Sequence, residues 1–215
     1  MFDIEFRIHP VEPVFQPSLF DGGPAVGLAA IAPRSERITL QRGAWVELTR
    51  RWVQGSDQLF DHLLHVVPWR AERRRMYDRV LDVPRMVAFY EEHHELPDPA
   101  LATIRGALSE HYHPELGEPF RTVGLCLYRH GKDSVAWHGD RIGRSRTQDT
   151  LVAVVSLGAS RRFLLRPRGG GPSRSFELGR GDLFVMGGSC QRTWEHCVPK
   201  LAHAQGPRIS VQLRP

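Results

Sequence analysis

Beyond Pro119 the chain reads as a succession of short strands, and this pattern constrains its fold more than any other feature. Val123–Tyr128, Leu151–Leu157, Arg162–Leu165, Ser175–Leu178, Leu183–Met186 and Arg208–Leu213 are β-branched or alternate apolar with polar residues. Turn residues separate them: Gly131, Gly169–Gly171, Gly179 with Gly181, and Gly187 with Gly188. Two more short strands, Arg37–Leu40 and Ala44–Leu48, lie upstream around Gly43. Between the two strand sets the period changes to helical. Ser56 reads as an N-cap ahead of Leu59, Phe60, Leu63 and Leu64, and Pro68 ends that helix. Asp98-Pro99 caps a second helix carrying Leu101, Ile104 and Leu108 on one stripe. Helices first and six strands after predict an α+β fold, a sandwich or barrel braced by helices.

The length of 215 residues suits one domain. A chain of this size buries roughly 70% of its unfolded surface, so it needs no metal or disulfide merely to fold. Five of the sixteen prolines fall in residues 1–36, which therefore read as an arm preceding a domain over 37–215. No apolar run approaches the roughly 18 residues of a membrane span, and MFDIEFRIHP lacks the basic-then-apolar order of a secretory signal. The three cysteines, Cys126, Cys190 and Cys197, form no CxxC and suit a reduced, cytoplasmic protein. Net charge is +5, and Lys132 and Lys200 are the only lysines among 29 basic residues. An arginine excess permits nucleic-acid binding without proving it.

The chemistry-bearing residues begin at His138-Gly139-Asp140. In a strand, residues i and i+2 share a face, so His138 and Asp140 can grip one ion. His196 follows 56 residues after Asp140. Two histidines and a carboxylate make the facial triad of non-haem Fe(II) oxygenases, which leaves metal positions open for co-substrate and dioxygen. HxD alone is commonplace in surface loops. The C-terminal strand adds weight: Ile209, Val211 and Leu213 fall on one face, and Arg208, Ser210, Gln212 and Arg214 on the other. Such a face is either solvent-exposed or turned into a barrel lumen. Its two arginines stand about 20 Å apart along the strand, and leaning toward each other they can close on a small dicarboxylate from its two ends. Tyr128 is placed to donate a hydrogen bond to the same ligand.

The stretches LYRHGKDSVAWHGD, VVSLGASRRFLLRPR, GDLFVMGGSCQRTWEHCVPK and PRISVQLR resemble the AlkB family of 2-oxoglutarate- and Fe(II)-dependent nucleic-acid dealkylases, from about Ser56 to Arg214. The resemblance implies a double-stranded β-helix, or jelly-roll, core. It implies Fe(II) held by His138, Asp140 and His196, and 2-oxoglutarate held by Tyr128, Arg208 and Arg214 with Ser210 lining the site. It also implies that MYDRVLDVPR belongs to a substrate-gripping lid near 69–85. The implied activity is oxidative removal of alkyl groups from damaged DNA bases: dioxygen and 2-oxoglutarate are consumed, a methyl carbon is hydroxylated, and formaldehyde leaves. The target base must leave its stack, which favours single-stranded DNA. Two positions depart from the family pattern, Cys126 where many relatives have asparagine and Ile142 where many are acidic. Cysteines flanking His196 would suit zinc, but the HxD carboxylate and the arginine strand suit iron and 2-oxoglutarate better.

Arg70, Arg73, Arg74, Arg75 and Arg79 form the densest basic stretch, with Tyr77 inside it, and Arg141, Arg144 and Arg146 follow HGD. Around a pocket, Arg73, Arg74 and Arg75 would meet phosphates and Tyr77 would stack on a base; the plain reading is a solvated face. Trp137, by strand parity, should face a helical layer, and Trp194 should share the lumen as structural support. Gln16–Phe20 resembles the short peptides by which bacterial repair proteins dock on a sliding clamp, although Leu19 and Phe20 packing on the domain itself is the simpler reading. A monomer is expected. The competing functions are the same oxidation on RNA or a non-nucleic-acid substrate, and a non-catalytic jelly-roll nucleic-acid-binding module.

Overall fold

The computed structural model describes residues 26–76, 79–140, 147–202 and 206–215, with the backbone alone over the strand residues between 72 and 82. In chain order the elements are β1 (Gly27–Leu28), β2 (Ser35–Thr39), β3 (Ala44–Thr49), β4 (Val53–Gln54), α1 (Ser56–Val66), β5 (Arg70–Met76), β6 (Arg79–Tyr90), α2 (Pro99–His111) and α3 (His113–Leu116). They continue with β7 (Thr122–Tyr128), β8 (Val135–His138), β9 (Val152–Gly158), β10 (Arg161–Pro167), β11 (Arg174–Leu178), β12 (Asp182–Gly188), α4 (Cys190–Thr193), β13 (Trp194–Val198) and β14 (Arg208–Arg214).

The strands form a large sheet in the order β2-β3-β12-β9-β14-β7-β6-β5 and a small one in the order β11-β10-β13-β8. All their pairings are antiparallel. This is the jelly-roll core with α+β character that the sequence predicts. Every residue of β9, VAVVSLG, is buried, because both faces of the large sheet are covered. One face carries Val123, Leu125, Leu127, Ala153, Val155, Leu157, Ile209, Val211 and Leu213, and packs with Leu59, Phe60 and Leu63 of α1 and Leu101, Ile104 and Leu108 of α2. The other face carries Tyr128, Val152, Val154, Phe184 and Met186, which meet Phe163, Leu165, Phe176 and Leu178 of the small sheet. The period of two along each strand thus divides the interior into two cores.

α2 starts as expected: Asp98 accepts from the Ala100 N–H at 2.7 Å, and Pro99 opens the first turn. α1 differs by one residue, for Gly55 is its N-cap and Ser56 its first helical residue. Its fit depends on Gly158 (φ +78°), where a Cβ would stand 2.7 Å from the Pro207 carbonyl oxygen and 2.8 Å from the Phe60 ring.

The arginine-dense stretch, which shows no sequence period, is the β5–β6 hairpin. β6 is twelve residues long, and its end, Met86–Tyr90, pairs with β7, which joins the hairpin to the large sheet. The described part of the proline-rich arm, 26–36, is packed rather than free. β1 pairs with β4, and Ile31 is buried in the helical core. No helix among the described residues is long and apolar enough to cross a membrane.

Candidate active site

The small sheet assembles the metal-type cluster. β13 pairs with β8 so that His196 lies directly opposite His138. Asp140, two residues on, shares the face of His138. One ligand atom from each of His138, Asp140 and His196 lies within 4.8 Å of the others. The imidazole centroids are 4.3 Å apart, and Phe163 stacks on the His196 ring. The Nδ1 of His138 bonds the Ala136 carbonyl at 2.9 Å. That bond requires Nδ1–H as donor, so Nε2 keeps its lone pair for a ligand. On Asp140, Oδ1 accepts from Arg214 Nη2 at 2.8 Å, and the backbone N–H donates to Gln191 Oε1 at 3.3 Å.

Electrostatics favour the ligand forms of all three. Burial pushes His196 down to about 3, and burial also lowers His138, so both imidazoles are neutral at pH 7. Burial alone would raise the Asp140 carboxyl, but Arg214 and the two histidines more than offset it and hold it ionised. Neither flanking thiol belongs to the cluster, and burial pushes Cys190 up to about 12 and Cys197 to about 11.

The large sheet supplies the second half of the site. On β14, Arg208 faces Tyr128 of β7 and Gly158 of β9, and Ser210 faces Cys126 and Ser156. The polar face of this strand therefore lines the lumen and not solvent. Arg208 is 1% exposed, and its Nη2 donates to Ser156 Oγ at 2.6 Å. Its Nε and Nη1 are buried without a partner. Tyr128 is buried, with its hydroxyl pushed far above the ordinary phenol value by burial, so it stays a neutral donor. A buried guanidinium lacking a carboxylate is costly. These orphaned N–H groups suit the distal carboxylate of 2-oxoglutarate, just as the two-histidine, one-carboxylate set suits Fe(II).

The expected two-ended arginine grip takes a different form. Arg214 bonds Asp140 through Nη2 and so belongs to the metal end, with its Nε unpartnered, while Arg208 stands at the other end with both Nε and Nη1 unpartnered. Ser210 lines the lumen with its Oγ accepting from Gln212 Nε2 at 2.7 Å. Cys126, where many relatives carry asparagine, has its Sγ 3.7 Å from Gln212 Oε1. Gln191, Ser156 and Arg161 escaped the sequence reading, which placed Gln212 on the polar face of the last strand without giving it a role.

Trp194 lies in the lumen core and donates from Nε1 to the Gln41 carbonyl, a structural role. Trp137 does not face helices, which pack on the large sheet; its ring lies 4.1 Å under the Arg166 guanidinium. Arg73, Arg74 and Arg75 lie on β5, their side chains outside the description. Tyr77, Arg141, Ile142, Arg144, Arg146 and Gln16–Phe20 lie outside the described residues.

Comparison with known proteins agrees with this geometry. The family model described as the 2OG-Fe(II) oxygenase superfamily matches residues 52–214. The alpha-ketoglutarate-dependent dioxygenase alkB homolog 3 of Bos taurus is 32% identical over 182 residues, which cover 74% of this chain and 61% of that protein. This chain therefore spans about three-fifths of that relative's length. The DNA oxidative demethylase ALKBH2 of Arabidopsis thaliana is 28% identical, with 85% of this chain and 70% of that one covered. The solved structure of OsALKBH1 superposes with a TM-score of 0.58 at 13% identity, covering 83% of this chain and all of that one, a likeness of fold. With the triad and the arginine strand inside the matched region, the chain belongs to the 2OG-Fe(II) oxygenase superfamily and, within it, to the AlkB family.

Proposed function

We propose that this protein is an Fe(II)- and 2-oxoglutarate-dependent dioxygenase that removes alkyl groups from damaged DNA bases. The observation that carries the reading is one lumen holding both a two-histidine, one-carboxylate cluster and a buried arginine with unused donors. In this reading His138, Asp140 and His196 hold Fe(II), and Arg208 and Tyr128 hold the distal carboxylate of 2-oxoglutarate. Arg214 fixes the orientation of Asp140 through its 2.8 Å bond, and Ser210 lines the floor. When bound, Fe(II), 2-oxoglutarate and dioxygen supply the oxidation that hydroxylates the alkyl carbon, after which the group leaves as an aldehyde. The protein's own work is placement: neutral imidazoles, an ionised carboxylate and a lumen closed to bulk water on both sheets.

DNA as substrate follows the relatives, one of which is named a DNA oxidative demethylase. We assign residues 1–36 to an arm and 37–215 to the dioxygenase domain, with 69–85 as the substrate lid. Arg73, Arg74, Arg75 and Tyr77 of that hairpin are its nucleic-acid contacts, and single strands are the preferred form. A monomer in the cytoplasm, with its three cysteines free, completes the assignment. Docking of Gln16–Phe20 on a sliding clamp is tested by titrating a Val14–Gly22 peptide; no binding at about 100 μM removes it. The central experiment combines purified protein, Fe(II), 2-oxoglutarate and methylated single-stranded oligonucleotides, read by mass spectrometry. Loss of methyl from DNA is expected. Loss from RNA alone would move the substrate to RNA, and no loss from either would overturn the reading.

A further inference from the structure

Arg161, the first residue of β10, is as deeply buried as Arg208, at 1% exposed. It lies in the VVSLGASRRFLLRPR stretch, 21 residues past Asp140, and the sequence alone assigns it no role. Its Nη1 donates to the His130 carbonyl at 3.2 Å, and its Nη2 donates to the Asp133 carbonyl at 2.8 Å and the Pro199 carbonyl at 3.0 Å. Its Nε is buried without a partner. The guanidinium carbon lies 5.6 Å from the Tyr128 ring centroid, and that of Arg208 lies 5.4 Å from the same ring. Two buried cations therefore border one neutral phenol. Neither is hydrogen-bonded to a carboxylate among the described residues. Asp133, the acid nearest in sequence to the latch, spends both oxygens on Arg129, through Nε at 2.8 Å, Nη2 at 3.0 Å and the backbone N–H at 2.9 Å.

Three backbone carbonyls orient a guanidinium well but cancel none of its charge. A core that needed only a latch between the 130–133 turn and Pro199 would be served by neutral donors. Asp133 and Glu177 lie within electrostatic reach of Arg161 but do not overcome the cost of burying it, and Arg208 on the same phenol has no such acid, so an anion arriving in the pocket is favoured. At the effective dielectric of protein sites, a cation several ångströms from an anion still contributes substantially.

We propose that Arg161 is a positioning and specificity-determining residue that makes the co-substrate pocket selective for a doubly charged, dicarboxylic 2-oxo acid. Its carbonyl latch fixes the turn that follows Tyr128, and its charge adds to that of Arg208 at the pocket's distal end. The inference rests on the dioxygenase reading above, since it presupposes a 2-oxo acid in the lumen.

The test is calorimetric titration of the Fe(II)-loaded protein under nitrogen with 2-oxoglutarate and with 2-oxopentanoate, which ends in a methyl group instead of a carboxylate. Unaltered protein is expected to prefer 2-oxoglutarate. Arg161→Gln is expected to cut that preference about tenfold, by weakening 2-oxoglutarate while 2-oxopentanoate is unchanged. Arg161→Lys, which keeps the charge and loses the fork, is expected to retain most of the preference. Thermal melting of both variants reports the latch separately. An unchanged preference in Arg161→Gln would overturn the proposal and leave Arg161 a latch only. If Arg161→Gln does not fold, Arg161→Lys decides, and a lost preference there overturns the charge role. Unaltered protein that binds neither acid would overturn the dioxygenase reading itself.

Discussion

The two faces of β14 are built from one seven-residue strand under opposite rules. Ile209, Val211 and Leu213 are each 0% exposed against the helices, with aliphatic neighbours throughout. Arg208, Ser210 and Arg214 are also buried, yet they look into the lumen, where Arg208 Nε and Nη1 and Arg214 Nε have no hydrogen-bond partner. Burial on the first face stabilises, at about 1.5–3 kcal/mol for each large apolar side chain. On the second face burial costs stability, most of all at Arg208, which has no carboxylate bonded to it among the described residues. The comparison separates residues that hold the fold from residues that hold a ligand, although both are inaccessible to water.

The sharpest way to break the comparison is Asp140→Ala. It should reduce demethylation to background while the protein still folds, with a lowered melting temperature because Arg214 is left buried without its carboxylate. Retained activity would remove Asp140 from the site. Next in size is Arg208→Met, which should weaken 2-oxoglutarate about 100-fold or more, as expected for losing one partner of a buried charged pair. The same change should leave stability level or raise it, because an uncompensated buried charge disappears. Marked destabilisation by Arg208→Met would mean that the lumen face also holds the fold. Leu213→Ala, five residues along the same strand, should do the reverse. It should lower stability by about 2–5 kcal/mol in chemical denaturation and leave 2-oxoglutarate affinity within twofold or so.

The smallest effect concerns Asp133. Burial alone would raise its carboxyl, but hydrogen bonds from the Arg129 side chain and backbone more than offset this and hold it below the ordinary carboxylate range. A depressed folded value means stability that is present above the ordinary range and is lost as pH falls through the depressed one. Asp133→Asn should therefore cost about 1–2 kcal/mol near pH 7. The gap from the unaltered protein should close in acid. A pH-independent gap would assign the effect to packing.

Local chemistry made much of this legible in advance. The HxD spacing, the His196 partner and the alternation of Arg208–Arg214 are strand periodicities, and the structure brings them to one lumen. The arginine-dense hairpin was illegible because β6 pairs with β5 over most of its length and with β7 at its end, so no single period runs through it. Residues 26–36 read as part of the arm because the prolines of 1–36 mask a two-residue strand and one buried isoleucine. Gln191 and Ser156 gave no signal, since each acts through one bond to a residue some fifty positions away.

By itself the sequence determined which residues share a face, because side-chain alternation depends only on neighbours along the strand. It also determined the donor set, two imidazoles and one carboxylate, and the arginine content of the last strand. Only the tertiary structure decided that this strand lies between β7 and β9 with its polar face inward, since register is a property of pairs of strands distant in sequence. The same pairing brings Arg214 to Asp140 across 74 residues, leaves Arg208 without an anion, and sets Arg161 beside Tyr128.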